Sequence, residues 1–207
     1  KILVKRKYLS KLKTFNEVYG KTILEITNIV AEIDITCSNT ETSIKYAYHR
    51  PNIKDSDNSF VSYEDIRHPI IERIISTEYV ANDIVLGKDD YDGMLLFGTN
   101  ASGKSCLMKS IGLNVIMAQA GLYVPCSEMR LKPYVNIFSR IGNQDNIFTG
   151  KSSFTQEMSE IRDIFNRTDE NSLILGDEPC SGTEHISAIS IVSSCINYLC
   201  NIKSSFI

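Results

Sequence analysis

The chain has 207 residues, 43% of them apolar and 23% charged, which is enough to bury one substantial core and a smaller appendage. Its formal net charge of −3 gives no general reason to expect a nucleic-acid-binding surface, because such domains are usually basic. The six cysteines lack CxxC spacing, and no apolar run approaches the roughly 18 residues of a membrane helix, which disfavours zinc sites, disulfide frameworks and membrane spans. We therefore expect an intracellular protein in a reducing compartment, without membrane contact.

The first fifty residues predict a long helix. Apolar residues recur there at alternating steps of three and four, as in a helix packed along a partner helix: Leu12, Phe15, Tyr19, Ile23, Ile26, Val30 and Ile33. The basic start KILVKRKYLSKLK indicates a solvated helix face rather than a DNA contact. The pattern lapses around TCSNTET, and TSIKYAYHR predicts a second helix. RPNIKDSDNS then interrupts all periodicity, so we place a domain boundary near residue 55.

Beyond this boundary, predicted strands and helices alternate. MLLFG predicts a buried strand, SCLMKSIGLNVIMAQAG a helix closed by Gly121, and EMRLKPYVNIFSRIG one or two strands. SFTQEMSEIRDIFNR predicts a helix, NSLILGD a strand, SAISIVSSCINYLC a helix and SSFI one more strand. This rhythm predicts an α/β domain with a mainly parallel sheet covered by helices. The strand at the end indicates a fragment of a longer protein.

One short stretch satisfies the phosphate-loop pattern GxxxxGK[ST]: Gly98, Thr99, Asn100, Ala101, Ser102, Gly103, Lys104 and Ser105. Its glycines let the backbone curl until the N–H groups face one point, where the next helix adds its positive end. Lys104 is expected to reach the β- and γ-phosphates, and Ser105 to bind Mg²⁺. The alternative is an ordinary strand-to-helix turn that matches the pattern by chance. Such a match is rare in a chain of this length, and the requirement that it fall between a predicted strand and a predicted helix makes it rarer.

An acidic pair ends a second apolar strand in SLILGDE. In ATP-hydrolysing enzymes such an aspartate, here Asp177, serves the metal, and the following glutamate, here Glu178, polarises water. Alone, an apolar run ending in two acids is common. Combined with the phosphate loop, it predicts an ATPase that uses ATP and Mg²⁺.

Six blocks in chain order resemble the ATPase domain of the MutS family of DNA mismatch-repair proteins. They cover residues 67 to 183 and read RHP, TEYVAND, GTNASGKS, AQAGLYVPC, FSRIGNQDNIFTGKSSFTQEMSEI and LILGDEPCSGT. The preceding helical region is similar to the family's lever helices. The resemblance implies a P-loop NTPase of ABC type at residues 56–207, truncated at its C-terminus, after a partial helical lever segment at residues 1–55.

The resemblance also implies roles for individual residues. Tyr79 matches an aromatic position that stacks on adenine, although a core tyrosine is the alternative. Asn100 is expected to help place the γ-phosphate or the water, beside Lys104 and Glu178 as catalytic residues. Ser152 and Ser153 match the segment that reaches the ATP of the opposite subunit, although an ordinary helix N-cap is the alternative. The expected ATP-binding set adds Tyr79 and Cys106 to the eight loop residues, and Ser105 and Asp177 are the expected Mg²⁺ ligands.

The implied partners are a second MutS-like subunit, as a homodimer, and duplex DNA bound mainly through domains outside this fragment. ATP binding is then expected to control dimer geometry and DNA clamping. Pro179, Cys180 and Ser181 depart from the family's usual basic, glycine-rich turn, which indicates a divergent branch.

Two other hypotheses on the function stay open. One is a nucleotide-gated dimerisation module in recombination or DNA-structure recognition, and the other is a small-molecule phosphotransferase, disfavoured because KSSFTQEM shows no acceptor-binding logic.

Overall fold

A computed structural model describes residues 2–88, 91–140, 153–180 and 184–207. The chain forms two compact units, Lys1–Lys45 and Tyr46–Ile207. This division lies earlier than the boundary predicted near residue 55, because the strand at Asn52–Ile53 pairs within the second unit. The assignment of the two parts as lever segment and ATPase domain stays a prediction. None of the helices in the part of the chain described here is long and apolar enough to cross a membrane.

Helix α1 forms the first unit and runs without interruption from Ile2 to Tyr46, the first residue of the second unit. The predicted break at TCSNTET and the separate second helix are therefore wrong. Thr36 and Thr40 each donate a hydrogen bond to the carbonyl four residues earlier, at 2.7 and 2.8 Å, so these polar side chains are satisfied within the helix. The helix ends where Ala47 turns to φ 51°. The seven residues of the apolar stripe are each 46–58% exposed, and their packing against a partner helix stays a prediction.

Within its described residues, the second unit has two sheets and four helices. The first sheet has the strand order β1-β4-β2-β3, with β1 parallel to β4 and with β2 antiparallel to both β3 and β4. The second sheet, β5-β6-β7, is parallel throughout. The strands are β1 (Asn52–Ile53), β2 (Phe60–Ile66), β3 (Asn82–Leu86), β4 (Glu128–Lys132), β5 (Asn136–Arg140), β6 (Ser172–Gly176) and β7 (Ser205–Phe206). The helices are α2 (Ile71–Ile74), α3 (Lys104–Gln119), α4 (Ser153–Phe165) and α5 (His185–Asn201).

The α/β class is confirmed, whereas the single, mainly parallel sheet is not. Residues Phe60–Ile66 mix buried and exposed positions along β2, as expected for a strand in an antiparallel sheet with one covered face. The prediction of a strand at MLLFG is wrong. Gly93 forms one bridge to Phe206, but β7 has only two residues, and Phe97 is 89% exposed. A strand needs a neighbour to satisfy its backbone, and this segment has none beyond that bridge among the residues described.

Helix α3 packs against both β2 and β6 and so joins the two sheets. The Tyr63 hydroxyl donates to the carbonyl of Ile111 at 3.2 Å, and both side chains are buried. The core around α3 consists of Val61, Tyr63, Ile66, Ile84, Leu86, Met108, Ile111, Val115, Ala118, Val124, Cys126, Met129, Leu131, Tyr134, Leu173 and Leu175. Buried residues between Met108 and Ala118 therefore anchor α3 in the core, just beyond its first turn.

The close approach of α3 to β6 depends on Gly112. A Cβ atom at this position would lie 2.5 Å from Leu175 Cδ1, inside contact distance. We expect Gly112→Val to lower the free energy of unfolding by about 1–3 kcal/mol, because the core has no room for the added atoms. Urea unfolding of the variant measures this. Ile116→Val, on the exposed side of the same helix, is the matched control, and a Gly112→Val midpoint no lower than the control's would contradict the packing argument.

Candidate functional site

The predicted phosphate loop lies immediately before α3. Gly103, at the N-cap of this helix, has φ 98°, which a residue with a side chain rarely adopts. Ala101 has φ 64°, and the Ser102 N–H donates to the Thr99 carbonyl at 3.2 Å, closing a tight turn. The loop therefore curls back on itself and leads straight into the helix. The first turn of α3 carries no acidic residue that could neutralise its positive end.

Lys104 folds back over this loop. Its Nζ donates to the carbonyl of Gly98 at 2.7 Å and to that of Thr99 at 3.0 Å. Lys104 is the first residue of α3, and its ammonium group lies against the loop. An anion bound there would interact with both the lysine charge and the positive end of the helix. A ligand with stronger negative charge than a carbonyl can take over these hydrogen bonds.

The second predicted motif meets the first through Asp177. This residue follows β6, and its Oδ1 accepts a hydrogen bond from the Ser105 hydroxyl at 3.1 Å, across 72 positions of sequence. A hydroxyl and a carboxylate are the hard oxygen ligands that Mg²⁺ prefers. No group of three or more His, Cys, Asp or Glu side chains in the described ranges could hold a metal. A two-ligand site nevertheless fits Mg²⁺, which keeps several waters and takes other oxygens from phosphates.

Glu178 faces the same cavity as the loop. The cavity has a volume of about 360 Å³, which is within the usual range for small-molecule sites, about 300–1,000 Å³. It is lined by Asn100, Ala101, Ser102, Gly103, Lys104, Ser105, Cys106 and Glu178. Glu178 has φ 46°, an uncommon conformation for a residue with a side chain, and such conformations concentrate at functional sites. The fold thus brings the loop and the acidic strand end together, while the roles of these residues stay predictions.

Tyr79 lies against the first turns of α3. Its hydroxyl oxygen is 3.6 Å from Cys106 Sγ and 3.4 Å from Ser110 Oγ. Burial raises the pKa of Tyr79, so the phenol stays neutral. The half-buried ring therefore sits beside the helix that carries the phosphate loop. Stacking on adenine is compatible with this place and stays a prediction.

Only part of the segment expected to contact an opposite subunit lies within the described residues. Ser152 lies outside the described residues, as do Ser181 and the two residues after it. Ser153 is the first residue of α4. The predicted reach of Ser152 and Ser153 to a second nucleotide therefore stays a prediction.

Sequence reasoning missed two residues behind the site, Glu157 and Arg140. Glu157 is 3% exposed, and its Oε1 accepts a hydrogen bond from the Cys180 N–H at 2.6 Å and pairs with Arg140 Nη1 at 3.1 Å. Burial raises the pKa of the Cys180 thiol, and the Glu157 charge raises it further. One signal was available in the sequence, because Glu157 falls between Phe154 and Ile161 at helical spacing, where an acid is unexpected on an apolar face.

The RHP block directly follows β2 and is hydrogen-bonded to α3. Arg67 pairs with Glu72 at 2.9 Å and donates to the Ala47 carbonyl at 2.8 Å. Its own carbonyl accepts from Asn114 of α3 at 3.2 Å. Buried His68 accepts the N–H of Ile70 and of the next residue through Nδ1, and burial lowers its pKa. The block therefore packs beside α3, the helix that follows the phosphate loop.

Known proteins resemble this chain along its whole length. The family described as MutS domain V matches residues 94–207, which include the loop, Asp177 and Glu178. A putative DNA mismatch repair protein mutS homolog of Acanthamoeba polyphaga mimivirus is 37% identical, in a match covering 99% of this chain and 22% of the relative. A mitochondrial DNA mismatch repair protein mutS homolog of Sarcophyton glaucum is 36% identical, covering 100% and 21%. The DNA mismatch repair protein MutS of Petrotoga mobilis is 35% identical, covering 97% and 24%. The chain thus spans only 21–24% of the length of these relatives.

Proposed function

Because the chain belongs to the MutS family of DNA mismatch-repair proteins, we propose that residues 56–207 form an ABC-type P-loop domain that binds and hydrolyses ATP with Mg²⁺. The observation that carries this proposal is the hydrogen bond between Ser105 and Asp177, at 3.1 Å. It joins the phosphate loop to the acidic strand end, with Glu178 lining the same cavity. In P-loop ATPases, a hydroxyl and a carboxylate placed in this way hold the metal ion that binds the phosphates.

Each residue of the cavity then has a task. Lys104 and the loop amides bind the phosphates, and Asn100 lies on the loop where it can orient the terminal phosphate or the water. Ser105 and Asp177 hold Mg²⁺, which neutralises phosphate charge when bound. Glu178 orients the attacking water and accepts its proton. Tyr79 supports the adenine beside α3.

The proposal extends to partners and place. We propose that two such chains form a homodimer in which Ser152 and Ser153 of each contact the nucleotide of the other. ATP binding then changes the dimer geometry, the helical segment 1–55 serves as part of a lever, and duplex DNA is clamped mainly by residues outside this chain. The six cysteines are all free, which supports an intracellular, reducing compartment.

Phosphate release from Mg-ATP by the full-length protein tests this function. We expect hydrolysis whose rate per subunit rises with protein concentration as dimers form, because each site needs residues of the second subunit. Equally fast hydrolysis by a strictly monomeric sample would contradict the shared site. Faster transfer of phosphate to an added nucleoside or sugar than to water would instead support a phosphotransferase.

A second candidate function is a nucleotide-gated dimerisation module that binds ATP without productive hydrolysis. It would act in recombination or DNA-structure recognition without reading mismatches. The altered turn after Glu178 favours it, because Cys180 there is buried and has φ 64° where the family usually has a glycine-rich, basic turn. Single-turnover phosphate release by the intact protein excludes this alternative.

A further inference from the structure

The geometry points to Glu157 as a positioning residue that holds the turn carrying Glu178 and couples this turn to helix α4. The inference rests on the proposed ATPase function and deepens it. Glu157 is absent from the lining of the phosphate-loop cavity, so it acts through the turn rather than on the nucleotide.

The turn is bonded at both ends by groups outside it. At its start, the Asp177 N–H donates to the carbonyl of Arg140 at 2.9 Å. At its end, the Cys180 N–H donates to Glu157 Oε1 at 2.6 Å. Between these two bonds lies Glu178. The bonds therefore fix both ends of the segment on which the proposed base stands.

The turn needs such support because its backbone is strained. Glu178 and Cys180 have φ values of 46° and 64°, in the left-handed region that residues with side chains rarely adopt. Conformations of this kind persist only where the surroundings impose them. With the Glu157 bond removed, the turn is expected to relax and to carry Glu178 away from the phosphate loop.

Glu157 is suited to this task because it is buried, charged and paired. Its side chain is 4% exposed, and Arg140 Nη1 lies 3.1 Å from the same oxygen that accepts the Cys180 N–H. Arg140 is itself the last residue of β5, in register with Gly176 at the end of β6. A buried carboxylate that keeps a counter-charge and a hydrogen bond holds a defined position. Glu160 also pairs with Arg140, at 3.4 Å, but its side chain is 47% exposed.

The bond ties the turn to the position of α4. Glu157 lies about one helical turn from Ser153, the first residue of α4. A hydrogen bond of 2.6 Å is lost once the two atoms separate beyond about 3.2 Å, so a shift of α4 by about 1 Å breaks it. Under the proposed function, the start of α4 at Ser153 contacts the nucleotide of the partner. One subunit's nucleotide would then set the catalytic turn of the other through Glu157.

Shortening the side chain by one methylene tests the positioning role. In the full-length protein, we expect Glu157→Asp to lower kcat by about 10- to 100-fold, because the carboxylate no longer reaches the Cys180 N–H. The Kd for Mg-ATP should stay within about twofold of the wild-type value. Glu157→Gln, which keeps the reach but not the charge, should retain more activity than Glu157→Asp. Glu160→Asp is the matched control and should keep kcat within about twofold.

The outcomes separate this inference from the proposed function. The rates are divided by the measured number of ATP sites, so that unfolded protein does not count. A wild-type protein that hydrolyses ATP, with Glu157→Asp within about twofold of it, overturns the inference alone, and so does a parallel loss of ATP affinity. A wild-type protein without hydrolysis overturns both. If Glu157→Asp does not fold, hydrogen exchange in the wild type decides, because a Cys180 amide that exchanges as fast as an exposed loop amide overturns the inference.

Discussion

Replacing Glu178 by glutamine is expected to lower the rate of ATP hydrolysis by about 10²- to 10⁴-fold, which is the usual contribution of a general base. Glutamine has the same shape but cannot accept the proton of the attacking water. The turn from Asp177 to Cys180 keeps its two anchoring bonds, so the cavity keeps its form. The Kd for Mg-ATP should therefore change by no more than about threefold. Single-turnover phosphate release and equilibrium ATP binding by the full-length dimer measure both quantities.

Glu184→Gln provides the matched control for this experiment. Glu184 is an exposed acid that precedes α5 and does not line the phosphate-loop cavity. Its replacement removes the same charge and should leave hydrolysis within about twofold of the wild-type rate, as is usual for surface substitutions. Unchanged turnover in Glu178→Gln would remove Glu178 from the role of base, and the nucleotide-gated module would then be favoured.

Truncating Lys104 should act on binding rather than on the proton transfer. Hydrogen bonds to charged groups contribute about 1.5–3 kcal/mol each. We therefore expect Lys104→Ala to weaken Mg-ATP binding by about 10- to 150-fold at equilibrium. The loop also loses the two bonds from Lys104 Nζ to Gly98 and Thr99, which adds to the loss of order around the phosphates. Titration of the full-length protein with a fluorescent ATP analogue measures the effect.

Lys109→Ala is the control for the loss of a positive charge on α3. Lys109 is exposed on the same helix and outside the cavity. Its removal should leave ATP affinity within about twofold, because exposed charges are screened by solvent. Equal effects of the two substitutions would show that Lys104 has no particular contact with the nucleotide.

Local patterns in the sequence were sufficient for the elements that hold the site. Four elements form where periodicity predicts them: the strand before Asp177, the helix after the phosphate loop, and the helices near residues 153–165 and 185–201. The spacing of Gly98, Gly103 and Lys104 depends on local backbone geometry, so it could be recognised without the fold. The same holds for Asp177 at the end of an apolar run.

Features that depend on distant partners could not be predicted in this way. MLLFG has the composition of a strand, but β7 offers it a single bridge. The antiparallel pairing of β2 with β3 and β4 depends on which segments meet in space. TCSNTET has poor helical propensity, yet the hydroxyls of Thr36 and Thr40 donate to helix carbonyls and α1 continues. The position of Glu157 on an apolar helix face could be read in the sequence, but its hydrogen bond with the Cys180 amide, 23 positions away, could not.

A structure of the full-length Glu178→Gln protein with Mg-ATP is the most direct test of a single nucleotide site formed by the two motifs. We expect the triphosphate in the cavity between the loop and residue 178. Lys104 Nζ should have left the carbonyls of Gly98 and Thr99 for phosphate oxygens, with Mg²⁺ beside Ser105 and Asp177. A triphosphate bound elsewhere would contradict a nucleotide site formed by the two motifs. So would a Lys104 that still donates to both loop carbonyls with nucleotide present.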